Sequence, residues 1–209
     1  SEERVTLFGI SAKYIDALLN KGVIPKNKHD FSKLKTICST GSPLSQDGFK
    51  YIYNNVKKDV HLSSISGGTD IISCFALGCP ILPVYQGEHQ CIGLGMDVHF
   101  ANDSGEALDS GKGELICRQV FPSMPTGFWG DINGEKYQSA YFARFPDVWA
   151  HGDYGELKTH TFDNNQSAQT GVIIHGRSDA VLNPGGVRIG TAEIYRQVEK
   201  IDAVFESLA

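Results

Sequence analysis

The chain has 209 residues, of which 41% are hydrophobic and 21% are charged, and its formal net charge is −5. This composition is typical of a globular protein and excludes a fibrous chain, a disordered tail and a coiled coil. No basic stripe is present, so nucleic acid is not an expected partner. No membrane span is expected either, because the longest apolar stretch, residues 71–85, is interrupted by glycine and proline and is shorter than the roughly 20 residues of a membrane helix.

The first predicted element is a helix near the N-terminus. Ser11 is a candidate N-cap, since a serine oxygen accepts hydrogen bonds from the free amides of a first helical turn. Gly22 is a candidate stop, because glycine adopts the left-handed conformation common at helix ends. The apolar residues of this helix share one face: Ile10, Tyr14, Ala17 and Leu18.

A strand, a second helix and a second strand follow. The strands are predicted over residues 34–39 and 59–65, and Ser45 is placed to cap the helix between them. Apolar residues recur at helical spacing in that helix: Phe49, Ile52 and Val56. A strand–helix–strand unit of these lengths is a crossover, so the two strands should be parallel.

Two glycine-containing loops come directly after these strands, at residues 41–43 (Gly-Ser-Pro) and 66–70 (Ser-Gly-Gly-Thr-Asp). The carboxyl ends of parallel strands lie at one edge of a sheet, where open α/β sheets bind ligands, so both loops should emerge together. Glycine lets backbone amides approach an anion, while threonine and aspartate supply a hydroxyl and a carboxylate. We therefore expect a phosphate and metal site at this edge.

From residue 91 the pattern changes to the alternation of antiparallel strands. Strands are predicted near residues 96–100 and 114–118, and a hairpin is predicted to join residues 154–158 to 171–175 around a polar loop. These elements predict an antiparallel, partly barrel-like region. A glycine-rich turn and a helix from about Thr191 follow, and the helix has three apolar residues on one face: Ile194, Val198 and Ile201.

The chain contains five cysteines without a CxxC pair: Cys38, Cys74, Cys79, Cys91 and Cys117. An odd number without this spacing argues against a disulfide framework and against a zinc site. We expect reduced, mostly buried thiols in a cytosolic protein.

Four short motifs occur in a fixed order along the chain: residues 41–44 (Gly-Ser-Pro-Leu), 66–70, 151–153 (His-Gly-Asp), and 176–179 (Gly-Arg-Ser-Asp) running on to Arg188 and Glu193. Together they resemble the adenylate-forming superfamily of acyl-CoA synthetases, luciferases and peptide-synthetase adenylation domains. The spacing of tryptophan, glycine and aspartate over residues 127–131 resembles its short-chain acyl-CoA synthetase branch. The opening segment, residues 7–13, and the Gly-Gly-Thr-Asp-Ile version of the central loop resemble the acetoacetyl-CoA synthetases.

The resemblance implies a two-step ligase reaction with acetoacetate, ATP and coenzyme A as substrates. The carboxylate attacks the α-phosphate of ATP to give an acyl-adenylate and pyrophosphate, and the thiol of coenzyme A then displaces AMP. The resemblance also implies the residues that bind ATP and AMP: Gly41, Ser42 and Pro43 against the adenine, Gly68 and Thr69 near the phosphates, Asp153 and Arg177 at the ribose, and Arg188 on phosphate. Among these, Thr69 and Arg188 match the catalytic positions of the superfamily.

Four further roles follow from the same resemblance. Asp70 matches the acid that holds Mg²⁺; most relatives carry glutamate there, but aspartate is also a hard oxygen ligand. Asp179 matches a hinge between the half-reactions, and Gly186 matches a position that coenzyme A passes. Gly67 matches a tryptophan of acetyl-CoA synthetases, so its small size should open the acyl pocket to a longer acid such as acetoacetate or butyrate.

The resemblance also predicts what surrounds the chain. A lysine-ended phosphate loop should precede residue 1, and the remainder of a small C-terminal domain should follow residue 209. We therefore expect a fragment whose partner is the rest of the same polypeptide or flanking domains, with little ligase turnover alone. The expected organisation is α/β: a partial parallel sheet with flanking helices over residues 1–90, a β-rich region over 91–175, and the hinge with the start of the C-terminal domain over 176–209.

Two alternatives stay open at this point. One is a coenzyme A synthetase for another short-chain acid, which the motifs do not distinguish. The other is a non-catalytic relative that binds a nucleotide or a protein partner, which Asp70 in place of glutamate favours and the other matched polar residues oppose.

Overall fold

The computed structural model describes residues 3–162, 167–182 and 189–198, together with residues 201, 203 and 204. It opens with a parallel three-stranded sheet in the order β1-β2-β3, formed by Leu7–Ser11, Thr36–Thr40 and His61–Ser64. The predicted crossover is confirmed, because β2 and β3 pair in parallel with Thr36 opposite His61 and Ser39 opposite Ser64.

Two helices connect these strands and pack on the sheet. Helix α1 spans Ala12–Asn20, and helix α2 spans Gln46–Tyr51 and continues as a wider helical turn through Val56. Both predicted N-caps are confirmed: Ser11 Oγ accepts from the amide of Tyr14 at 3.2 Å, and Ser45 Oγ accepts from the amide of Gly48 at 3.0 Å.

Strand β1 is absent from the sequence-based prediction, and the assignment of Ile10 to a helical face is wrong. Ile10 lies in β1, where it pairs with Ser39 of β2. The side chains of Leu7 and Phe8 are exposed, so this edge strand lacks the alternation of buried and exposed residues that identifies a strand in a sequence.

Two antiparallel sheets follow the parallel one. The smaller has the order β4-β5-β6 and consists of Ser66–Gly68, Ser73–Leu77 and Cys91–Ile92. The larger has the order β10-β9-β8-β7. Its strands in chain order are β7 (Val98–Ala101), β8 (Gly113–Cys117), β9 (Trp149–Phe162) and β10 (Ser167–Arg177). The predicted fold class is confirmed, since a partial parallel sheet with helices is followed by an antiparallel region.

Two segments predicted as loops form strands instead. The first three residues of the 66–70 loop make β4, because Gly67 lets it run close to β5. The polar segment 159–170 was expected to be the loop of a hairpin, but β9 and β10 stay paired as far as Phe162 and Ser167. The segment has a polar sequence because side chains such as Thr159 are exposed on the paired strands. Residues 163–166, between the two strands, lie outside the described residues.

The apolar core forms separate clusters. One fills the space between the parallel sheet and helices α1 and α2, and its members include Ile15, Ile37, Phe49, Ile52 and Leu62. Another surrounds Trp149 and collects residues from β5, β7, β8 and β10: Phe75, Phe100, Leu115 and Val172. Tyr141, at the end of helix α3 (Glu135–Tyr141), stacks on Trp149 with ring centroids 3.6 Å apart. The antiparallel region therefore has its own hydrophobic centre.

The last described helix, α4, spans Thr191–Val198 and begins at the predicted residue. It packs against β10, and Glu193 accepts a hydrogen bond from Lys112 Nζ at 2.7 Å. The glycine-rich turn predicted before it lies outside the described residues. Within the described part of the chain, none of the helices is sufficiently long and apolar to cross a lipid bilayer.

The second core yields a stability prediction. Phe100 is 1% exposed and contacts this cluster, so Phe100→Ala should lower the free energy of unfolding by about 3–5 kcal/mol through lost burial and an unfilled cavity. Phe8→Ala is the matched control, because Phe8 is 44% exposed, and we expect a change below about 1 kcal/mol. Urea denaturation measures both; equal losses would contradict the described burial.

Candidate adenylate-binding site

A cavity of about 590 Å³ opens at the carboxyl ends of β2 and β3. As the parallel pairing predicts, both glycine-containing loops reach it. Segments from the ends of the hairpin strands β9 and β10 form the opposite wall. Seven of the sequence-predicted site residues line this one cavity: Gly41, Ser42, Pro43, Gly67, Thr69, Asp153 and Arg177.

The charged pair Asp153–Arg177 lies at the centre of the opposite wall. The two residues are partners in the register of β9 and β10, and Arg177 Nη1 donates to Asp153 Oδ1 at 3.3 Å. Asp153 is buried, and its other carboxylate oxygen, Oδ2, accepts from Ser66 Oγ at 3.3 Å. Because the Arg177 side chain is 55% exposed, the pair contributes little to stability, but it orients a carboxylate beside the cavity.

Gly152 makes the bend that brings these groups together. Its φ of +82° is in the left-handed region, which glycine adopts without strain. A Cβ atom at this position would collide with the guanidinium of Arg177. Its amide donates to Oε1 of the buried Glu114 at 2.7 Å. The left-handed backbone therefore favours glycine at this position, and the absence of a side chain lets the Arg177 guanidinium lie close to it.

Gly67 and Gly68 are also close-packed, each against a different neighbour. A Cβ atom at Gly67 would overlap the carbonyl oxygen of Ser73 in β5, and one at Gly68 would lie 3.0 Å from Cε1 of His151. Gly67 thus lines the cavity with backbone. A tryptophan at this position would require β4 to move away from β5, so the size of the pocket depends on the strand as well as on the missing side chain.

Asp70 lies beside Thr69 but does not line the cavity. Its carboxylate is exposed and accepts a hydrogen bond from the hydroxyl of Tyr141. Burial, together with this contact, raises the pKa of Tyr141, so the phenol stays protonated and acts as a donor.

An exposed carboxylate next to a predicted phosphate position fits Mg²⁺. This ion is usually held by one or two carboxylates together with substrate phosphate oxygens. No cluster of three ligating side chains occurs among the described residues. Asp70 would therefore supply a single protein ligand, and the substrate phosphates would supply others.

Three further predicted residues either do not line the cavity or lie outside the described residues. Asp179 is in the turn Ser178–Ala180 directly after β10, with its carboxylate exposed and 3.6 Å from Nε of Arg177. Gly186 and Arg188 lie outside the described residues, so their predicted roles have no structural counterpart here.

Several cavity residues were not assigned a role in the sequence analysis. Asp16 of α1 accepts from Ser45 Oγ at 2.9 Å, and burial raises the pKa of this carboxyl. Tyr195 of α4 also lines the cavity. Asp16 lies beside the buried residues Ala12 and Ile15 of α1, so the apolar pattern of this helix gives no signal for it, and no local pattern identifies Tyr195.

Two buried histidines complete the wall. His89 Nδ1 donates to the carbonyl of Val172 at 3.1 Å, and burial lowers the pKa of His89 to about 4. Burial also lowers the pKa of His151, against the opposing effect of Asp153. Trp149 Nε1 donates to His151 Nδ1 at 3.4 Å, which leaves the proton on Nε2, 3.3 Å from the carbonyl oxygen of Gly67. Neutral His151 thus joins the two walls of the cavity.

Comparison with known proteins agrees with the motifs. No family model matches the chain. An acetoacetyl-coenzyme A synthetase of Rhizobium meliloti (strain 1021) is 55% identical over 206 residues, which are 99% of this chain and 30% of that protein. An acetoacetyl-CoA synthetase of Xenopus tropicalis is 48% identical over 98% of this chain and 29% of its own length. The resemblance inferred from the motifs is confirmed. Over nearly its whole length, this chain is similar to acetoacetyl-CoA synthetases.

Solved structures support the same conclusion. Acetoacetyl-CoA synthetase from Streptomyces lividans superposes with a TM-score of 0.82 at 40% identity, covering 99% of this chain and 31% of that one. An anthranilate CoA ligase in complex with anthranoyl-AMP superposes with a TM-score of 0.75 at 18% identity, covering 98% of this chain and 36% of the ligase chain, which shows a shared fold. The chain spans only about 30% of the length of the curated relatives that it matches.

The buried histidine predicts a pH dependence of stability. His89 has a folded-state pKa of about 4 against an ordinary value of 6.5, so the unfolded chain binds the proton more tightly. The unfolding free energy is therefore unaffected by this group above pH 6.5. As the pH falls from 6.5 towards 4, protonation of the unfolded chain lowers the unfolding free energy by at most about 3 kcal/mol. His89→Gln should therefore flatten the dependence of the unfolding free energy on pH between 6.5 and 4.5.

The control for this measurement is His29→Gln, because His29 is exposed. It should leave the pH dependence unchanged. Part of the slope should remain in His89→Gln, since burial lowers the pKa of His151 and His175 as well. An unaltered slope in His89→Gln would contradict the assignment.

Proposed function

We propose that this chain forms the nucleotide and acyl-binding walls of an AMP-forming acid–thiol ligase that activates acetoacetate to acetoacetyl-CoA. The observation that carries the proposal is the meeting of four sequence-distant motifs at one cavity. Relatives named acetoacetyl-CoA synthetase at 45–55% identity support the choice of acid. The chemical task is to hold two anions together while negative charge on the phosphate is neutralised.

The nucleotide would lie between the two walls. Residues 41–43 would contact the adenine. Gly68 does not itself line the cavity, and it would contribute by allowing the close approach of His151 from the opposite wall. Asp153 would accept hydrogen bonds from both ribose hydroxyls, a role that suits an acceptor-only carboxylate already oriented by Arg177 and Ser66. Arg177 would remain beside the ribose and hold the carboxylate in place.

The phosphates would lie towards Thr69 and Asp70. The Thr69 hydroxyl would donate to a phosphate oxygen, and Arg188 would approach phosphate from the segment that follows β10. Asp70 would hold Mg²⁺, which supplies positive charge to the phosphates when it is bound. Tyr141 would keep the Asp70 carboxylate in place through its hydroxyl.

The second half-reaction concerns the end of the chain. Asp179 would act as the hinge, and Gly186 would leave space for the arm of coenzyme A. Thr191 and Ala192 of α4 line the cavity, so rotation about residue 179 would move one wall of the site. This geometry supports a boundary at residue 176. The proposed division of the preceding chain into residues 1–90 and 91–175 rests on the change of pattern in the sequence.

The proposal includes the setting of the chain. The relatives are about three times longer, so we propose that the rest of such a polypeptide supplies the lysine-ended phosphate loop and the remaining C-terminal domain. Five free thiols within the described residues support a reducing compartment such as the cytosol.

Binding of AMP tests the nucleotide role. Asp153→Asn preserves shape but removes the charge that would accept from the ribose, so AMP affinity should fall roughly 10- to 100-fold by calorimetry. Asp59→Asn is the control, since its carboxylate is 83% exposed and does not line the cavity. Equal AMP affinity in the wild-type chain and Asp153→Asn would overturn the assignment.

Acid preference tests the acyl role of Gly67. In a polypeptide of the relatives' length that contains this chain, pyrophosphate exchange should be faster with acetoacetate than with acetate, by at least about tenfold per unit enzyme. The reason is that backbone, and no indole, forms the wall at Gly67. A preference for acetate would contradict the acyl role without affecting the nucleotide role.

A further inference from the structure

One peptide unit in the site is held from both ends by charged side chains. The carbonyl of His151 accepts from Arg177 Nη1 at 3.1 Å, and the amide of Gly152, in the same peptide, donates to Glu114 Oε1 at 2.7 Å. Because carbonyl and amide point in opposite directions in a trans peptide, Glu114 and Arg177 lie on opposite sides of it. The negative end of the peptide dipole, at the carbonyl oxygen, faces the Arg177 guanidinium, and the positive end, at the amide, faces the Glu114 carboxylate.

Glu114 is unusual because it is a charged residue in the core of a strand. It lies in β8 and is 1% exposed. A buried carboxylate is costly unless its oxygens are paired, and both are paired here. Oε2 accepts from Arg144 Nη1 at 2.5 Å, and Oε1 binds the Gly152 amide. A hydrophobic residue would fill the same position without this cost, so packing alone does not explain a carboxylate.

The contacts form one continuous series of alternating charges. It runs from Arg144 through Glu114 to the peptide, and from the peptide through Arg177 to Asp153. Gly152, at φ +82°, has no side chain that could restrict rotation of the peptide. The hydrogen bond that the Gly152 amide donates to Glu114 therefore restrains the peptide with the His151 carbonyl directed at Arg177.

We propose that Glu114 is a positioning residue for nucleotide binding. Through the His151–Gly152 peptide, it sets the position of Arg177 and hence of the Asp153 carboxylate. The inference rests on the proposed function, since Asp153 is the ribose acceptor in that proposal. It assigns a role to a residue that lies behind the cavity wall and does not touch the ligand.

The test compares two double variants that share the same Arg144 substitution. Glu114→Leu/Arg144→Met replaces the ion pair with apolar groups of similar volume, a change that buried pairs often tolerate. Glu114→Gln/Arg144→Met keeps an amide oxygen that can accept from Gly152. The two variants differ only in the side chain at residue 114, which is an amide that can accept from Gly152 in one and an apolar group in the other. Urea denaturation establishes that both are folded.

Two readouts follow the peptide and the ribose separately. The first is the hydrogen-exchange rate of the Gly152 amide without ligand. The second is the ratio of affinities for AMP and its 2′,3′-dideoxy analogue, which reports whether the ribose hydroxyls are bound. We expect the leucine variant to speed exchange and to lower the affinity ratio by roughly tenfold each, and the glutamine variant to stay within about threefold of wild type.

The outcomes separate this inference from the proposed function. If the leucine variant has the same exchange rate and the same affinity ratio as the wild-type chain, the positioning role of Glu114 is overturned. Equal losses in both variants would also overturn it, because they would assign the effect to the charge pair and not to the bond with Gly152. If the wild-type chain itself does not favour AMP, the ribose role of Asp153 fails, and the Gly152 exchange rates still decide whether Glu114 orients the peptide.

Discussion

The register of the hairpin formed by β9 and β10 determines where the charges of the site lie. Asp153 and Arg177 are cross-strand partners, and the pairing shifts between Ile174 and Gly176, just before it reaches them. Adjacent residues of a strand point to opposite faces, so a slip of one residue would direct one member of the pair away from the cavity. The long paired segment beyond them fixes this register.

The second wall depends on a different constraint. Parallel pairing of β2 and β3 places the segments that follow them at one edge, and the antiparallel region beside that edge is packed around its own buried aromatic core at Trp149. His151 then connects the two walls, since its ring is packed against Phe75 and its Nε2 faces the Gly67 carbonyl. The cavity is therefore formed between two separately packed layers, which side-chain hydrogen bonds such as Ser66–Asp153 and His151–Gly67 connect.

The sequence predicts the parts of this structure that depend on local chemistry. The caps at Ser11 and Ser45 and the crossover between β2 and β3 follow from residue types and spacing. Strand β1 does not, because its exposed side chains give no alternation. The roles of the site residues came from the order of motifs, and they remain proposals. The contact between Glu114 and Gly152 joins residues 38 positions apart, and no local pattern could reveal it.

The close approach of β4 to β5 has a consequence for protein engineering. Because Gly67 faces the backbone of Ser73 and Cys74, any side chain introduced at this codon alone would require β4 or β5 to shift. Space for a larger side chain at residue 67 must come from displacement of the neighbouring strand. Substitutions in β4 and β5 therefore have to be chosen together. Redesign of this wall calls for combinatorial mutagenesis of both strands at once.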